Sequence, residues 1–146
     1  MPKSRQGARQ AKRCRSLLAL TASLAFVASP AAAVDILQEC DGPTPLMTAC
    51  IWDAYEAADR ALDEVWQEAL DSIDQADHLE AATRQEWRMR LVAAQGAWTE
   101  FRQEDCNGAT AYEWYGGTGA NSAVGACLYD ATVARTADLR ARYPRR

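Results

Sequence analysis

A chain of 146 residues with 20 acidic side chains, 16 basic ones and a single histidine has a formal net charge of −4. The basic residues are unevenly spread: Lys3, Arg5, Arg9, Lys12, Arg13 and Arg15 all fall in the first 33 residues, where there is no acid. Without that segment the remainder carries about −10, with ten arginines and no lysine. Such a balance repels nucleic acid and anionic lipid and favours cationic partners, through fields that salt weakens.

The basic start is followed by an apolar run from Leu17 to Ala28 and by Ala31-Ala32-Ala33. That order is the pattern of a secretory signal peptide, so residues 1–33 are expected to be removed after Ala33. The apolar run is about 12 residues, short of the roughly 20 that span a bilayer, and no later segment comes close. The processed chain, 34–146, is therefore expected to be soluble and periplasmic or secreted, with no membrane insertion. Cys14 precedes the apolar run, the wrong side for a lipoprotein cysteine, and Lys12-Arg13 is only a partial match to a twin-arginine signal.

Cys40, Cys50, Cys106 and Cys127 remain after processing. An even count in a small exported chain predicts two disulfides, with three connectivities open. No pair has Cys-x-x-Cys spacing and His78 is distant in sequence from all four, so no metal site and no cofactor are expected. Each bridge should add about 2–4 kcal/mol by constraining the unfolded chain.

From Thr44 the apolar positions Met47, Cys50, Ala54, Ala57, Ala61, Val65 and Leu70 recur at helical spacing, with charged residues between them. Thr44 or Pro45 can open this helix, and the pattern fades by Asp74. A second helix has two capping-box starts, Asp77 to Glu80 and Thr83 to Glu86, with a frayed beginning near Leu79 favoured. Its expected apolar stripe is Trp87, Leu91, Ala94, Trp98 and Phe101, and Gly96 is read as a mark of close helix contact. Between Asn107 and Asn121 the periodicity stops, and a loop with aromatics is expected. Asn121 or Ser122 can cap a third helix, with Val124, Cys127, Leu128, Ala131, Arg135 and Leu139 near one side, ending before Pro144. No segment alternates like a strand. The expected fold is all-α, a small antiparallel three-helix bundle running up, down and up, with two disulfides. That topology brings all four cysteines and the aromatic loop to one pole.

Catalytic patterns are missing. His78 has no nucleophile beside it and reads as a surface residue. Glu56, Asp63, Glu64, Glu68 and Asp71 read as a solvated helix face and not as a poised carboxylate pair. Gly116-Gly117-Thr118-Gly119 lacks the strand and lysine of a phosphate loop. The unusual stretch is Gln95, Trp98 and Arg102, which share one helical face beside Leu91. A buried arginine there needs an acceptor, with Asp59 the first candidate and Asp105 the alternative; a ligand anion is the competing role.

These residues resemble the LprI-like lysozyme-inhibitor N-terminal domain family. The resemblance lies in Cys40, Met47 and Cys50, in Ala58-Asp59 and Leu62, and in the run Leu91, Gln95, Trp98, Arg102 and Cys106. It continues through Gly116-Gly117-Thr118 to Cys127, Thr132, Arg135 and Leu139, covering nearly the whole processed chain. Trp66 departs from the tyrosine more usual there, and residues 112–115 are richer in aromatics than the family pattern. The resemblance implies a helical, disulfide-bonded exported domain, with lysozyme inhibition as the attached activity. The chain is then expected to be a binding protein and not an enzyme, with a basic lysozyme as partner and Asp59, Gln95, Trp98, Arg102 and Arg135 as its structural motif. Tyr112, Glu113, Trp114 and Tyr115 are the candidate partner-binding residues, although Trp114 can equally cap the core. The alternative is an envelope interaction module with another partner and no inhibitory activity.

Overall fold

The computed structural model describes residues 35–144, and the signal peptide expected at 1–33 lies outside them. Asp35 opens a one-turn helix α1 (Ile36–Glu39), its carboxylate accepting from the Leu37 N–H. Three long helices follow, α2 (Thr44–Asp74), α3 (Ala81–Gln103) and α5 (Ala120–Arg142). A π-helical turn (Glu104–Thr110) and the short α4 (Ala111–Glu113) fill much of the interval between the last two. No strand is present among the described residues, and the all-α bundle read from periodicity is the fold observed.

Helix α2 starts where the sequence indicates, with Pro45 in the first turn, where no N–H is needed. The other two starts are corrected. Helix α3 begins at Ala81 without a side-chain cap, so neither capping box is used. Instead the Arg84 guanidinium donates to the Leu79 carbonyl and draws the preceding turn onto the helix. Helix α5 begins at Ala120, and Ser122 caps nothing because its hydroxyl is paired with that of Thr48 at 2.7 Å. The region read as a loop is also corrected, since the chain stays helical to Glu113. In an α-helix, residues four apart drift round the axis. The wider i→i+5 turn rotates back and keeps Arg102, Cys106 and Thr110 facing inward.

Cross-helix pairs fix the directions. Thr48 meets Ser122 near the start of both α2 and α5, and Leu62 to Ile73 share a core cluster with Leu139 near their ends, so these two helices run parallel. Helix α3 runs against both, with Arg102 reaching Asp59 and Thr132, and Trp87 stacking on Tyr143. Gly125 lets α2 and α5 approach closely, because a Cβ there would lie 2.9 Å from Ile51 Cγ2.

Val65 and Leu70 on α2, Leu91 on α3 and Val124, Leu128 and Leu139 on α5 are buried as expected, and the rest of each buried face departs from the expected stripe. On α2 the buried residues are Ile51, Leu62, Val65, Ala69, Leu70 and Ile73, while Cys50 and Ala57 are exposed. On α5 the inner face includes Thr132 and Thr136, whose hydroxyls donate to the carbonyls of Leu128 and Thr132 and so enter the core satisfied. On α3 only Leu91 and Arg102 are buried; Ala94 and Phe101 face solvent. Gly96 is corrected likewise: it is exposed, and a Cβ added there would meet nothing within 4 Å.

Candidate functional site

The inward line of α3 is Leu91, Gln95, Trp98 and Arg102, one residue off the apolar stripe. Each of its polar members has a partner. Arg102 is 6% exposed and its Nη1 donates to Asp59 Oδ1 at 2.8 Å and to Thr132 Oγ1 at 2.7 Å. Its guanidinium carbon lies 4.8 Å from the Trp98 ring centroid and 5.7 Å from that of Tyr55. Asp59 is thus the acceptor, and the alternative, Asp105, is exposed on the π turn. Arg135 sits 5.7 Å from the Trp98 centroid, with its Nε on Gln95 Oε1 at 3.0 Å and its Nη1 on Asp138 at 2.9 Å. Burial lowers the Arg135 pKa from its ordinary value, and the Asp138 carboxylate opposes that shift.

Trp98 therefore has two guanidiniums against it, and the five motif residues join all three long helices. Both cations have carboxylate partners, so the cluster is close to electrically balanced. Tyr55, absent from the sequence-level motif, belongs to this group; burial raises its pKa, with Arg102 opposing and Asp59 adding to the shift. Helical spacing alone carries the signal, since Tyr55 stands one turn before Asp59.

Above this cluster lies the cysteine pole. The bridges are Cys40–Cys50, which ties α1 to α2, and Cys106–Cys127, which ties the π turn to α5. Ligand atoms of Asp105, Cys106 and Cys127 lie within 4.8 Å of one another, but both sulfurs are spent in a disulfide and offer no thiolate to a metal. Cys106 is fully buried with Val124 and Leu128, and Thr110 places its hydroxyl 3.6 Å from Cys127 Sγ.

The aromatic segment leaves this anchored turn. Tyr112 is 81% exposed, Tyr115 96% and Trp114 50%, and Glu113 is exposed as well. Tyr115 and Gly116 both have positive φ, 49° and 71°, so the chain reverses sharply after Trp114. A tyrosine in that region is uncommon and carries strain. Successive bonds from Tyr115 N–H to Tyr112 O, Gly117 N–H to Trp114 O and Ala120 N–H to Gly117 O hold the reversal. The Trp114 indole lies against Gly119, where any Cβ would overlap the ring. The Trp114 ring is seated on Gly119 and half-exposed, outside the clusters of buried core residues.

Two hollows flank the segment. One is lined by Ala111, Tyr112, Tyr115 and Gly116. The other, about 400 Å³, runs between Trp114, Gly119 and Ser122 on one side and Leu37, Thr44 and Met47 on the other. Sequence reasoning missed the α1 wall of this groove. Its only signal is Asp35 as a cap with Ile36 and Cys40 four apart.

Of the groups weighed for catalysis, His78, Glu56, Asp63, Glu64 and Asp71 are exposed and Glu68 is half-buried. Among the described carboxyls the one held above its usual range is Asp130, raised by partial burial and then by the Asp35 carboxylate; it lies on the surface of α5. No helix among the described residues is long and apolar enough to cross a membrane.

Comparison with curated proteins and with solved structures returns no match. Residues 39–139 match the model of a family described as lysozyme inhibitor LprI, and the matched span holds both disulfides, the Trp98 cluster and the aromatic segment. That family is one of inhibitors and not of enzymes, which implies a protein partner, and together with the two disulfides it points to an extracytoplasmic protein. The chain belongs to the LprI lysozyme-inhibitor family.

Proposed function

We propose that this chain is an exported, non-catalytic binding protein that inhibits a basic lysozyme-type muramidase by docking the segment Tyr112–Tyr115 on it. Residues 1–33 serve as the signal peptide, and residues 34–146 act in the periplasm or outside the cell. The observation that carries this reading is two almost fully exposed tyrosines on a backbone reversal held by three hydrogen bonds and a neighbouring disulfide. Exposed aromatics on a fixed frame supply contact area at low ordering cost, and they dominate binding energy at interfaces. Glu113 among them complements a basic cleft, and the acidity of the processed chain speeds encounter with a cationic enzyme.

A cell-wall lysis assay with chicken-type, goose-type and bacterial muramidases tests this directly. Inhibition of at least one type is expected at micromolar protein, and Tyr115→Asn should weaken it about tenfold, as loss of an aromatic anchor does. Asparagine tolerates positive φ, so the fold should be kept. Undiminished lysis with every enzyme type would sink the proposal.

A further inference from the structure

The acidity of this domain is confined to one half. Residues 35–59 and 103–134 hold ten acidic side chains and no lysine, arginine or histidine. The rest, 60–102 with 135–146, holds ten acids and ten arginines. Because α2 and α5 run parallel and α3 opposes them, the two basic-free stretches form a single pole, made of α1, the first halves of α2 and α5, the π turn and the aromatic segment. That pole is therefore the source of most of the net charge of the described residues, and it also carries the groove between Trp114 and α1.

We propose that this groove is a second docking element, taking one long cationic side chain, an arginine or lysine, from a partner protein. The identity of that partner as a muramidase rests on the reading above; the chemistry of the groove does not. Leu37 and Met47 provide apolar walls suited to the methylene stem of such a side chain. Trp114, seated on Gly119 and open on the rest of its surface, offers an indole face to the charged head. Asp35, Glu39 and Asp41 stand in the same chain segment as Leu37, and Glu113 adjoins Trp114, all four exposed. An anionic occupant meets an uncompensated acidic field. A second copy of this chain presents the same pole and is repelled in the same way. The groove and the hollow of Tyr112 and Tyr115 are both lined by residues of the aromatic segment and share none.

The test uses the disulfide-intact protein and three probes: a hexa-arginine peptide, a hexa-glutamate peptide and chicken-type lysozyme. Hexa-arginine is expected to shift the Trp114 indole resonance ahead of the other four tryptophans, and raising salt from about 20 to about 200 mM should weaken its binding roughly tenfold. Hexa-glutamate should leave the spectrum unmoved. Ala123→Leu, which fills the groove from α5 and leaves Trp114 in place, should weaken hexa-arginine about tenfold with an unchanged helical circular dichroism signal, as should Trp114→Leu. Shifts scattered over acidic residues with Trp114 unmoved, or an affinity for hexa-arginine unchanged from the parent in both variants, would overturn the groove. A concentration-dependent dimer abolished by Ala123→Leu would overturn the cationic occupant in favour of a second copy. Selective hexa-arginine binding with undiminished lysis by every muramidase type upholds the groove and removes the muramidase. Inhibition that both variants retain, with Trp114 unmoved by the peptide, keeps the muramidase and removes the groove.

Discussion

Two glycines on neighbouring helices carry opposite expectations. Gly96 lies on the exposed face of α3 with open space around it, and alanine there should raise stability by about 0.5–1 kcal/mol through helix propensity alone. Gly125 has the same propensity to gain, but a Cβ would meet Ile51 Cγ2 at 2.9 Å and Trp52 Nε1 at 3.3 Å. Overpacking of this kind costs about 1–3 kcal/mol, so Gly125→Ala should lower the melting temperature where Gly96→Ala raises it. The Arg102–Asp59 pair is also unequal. The arginine side chain is 7% exposed and the carboxylate 40%. With Arg102→Met the carboxylate can hydrate, and the loss is on the order of 2 kcal/mol. With Asp59→Ala a buried guanidinium keeps only Thr132 and the two rings, and the loss approaches the roughly 3–5 kcal/mol of an uncompensated buried charge. Urea titration of both variants gives the order; a costlier Arg102→Met would mean that packing of the stem outweighs charge compensation.

At the scale of elements, the number, type and direction of the long helices were legible in the sequence, since periodicity and short connections report on backbone shape. The faces were less so. An apolar stripe alone puts Phe101 inside, whereas α3 turns inward the Gln95 and Arg102 face that their spacing beside Leu91 marks out, because Arg135, Asp59 and Thr132 receive them. Thr132, which carries part of the family resemblance, and Thr136 lie off the apolar stripe expected for α5, yet both are buried because their hydroxyls are satisfied by their own helix. The π turn was illegible, as it depends on Cys106 meeting Cys127 across the fold, and a set of four cysteines leaves that pairing open. The aromatic segment was legible as an interruption between helices but not as an exposed one. Because the π turn anchors that segment, replacing Cys106 and Cys127 together with serine should weaken the proposed inhibition by more than it lowers helix content. The matching double serine variant at Cys40 and Cys50 frees α1 and should spare the tyrosines. Equal loss of inhibition in both would detach the segment from its bridge.

The described residues hold most of their net charge in one half, and that crowding of acids should cost the fold stability. Asp130 reports it locally. Partial burial, and after it the Asp35 carboxylate, raises the Asp130 pKa in the folded state above its unfolded value. In the window between those two values the folded chain binds more protons than the unfolded one, so this group's contribution to stability falls as pH rises and stays unfavourable above the window. Asp130→Asn should therefore raise the melting temperature at neutral pH, and the gain should vanish as pH drops below the ordinary aspartate range. Added salt should narrow the same gain, because it screens the Asp35 share and leaves the burial share untouched. Comparing variant and parent at each pH cancels every other titration, including that of the arginine-paired acids, whose stabilising effect has the opposite sign. A pH-independent difference would mean that Asp130 is fully solvated and that the crowding of acids at this pole costs the fold nothing.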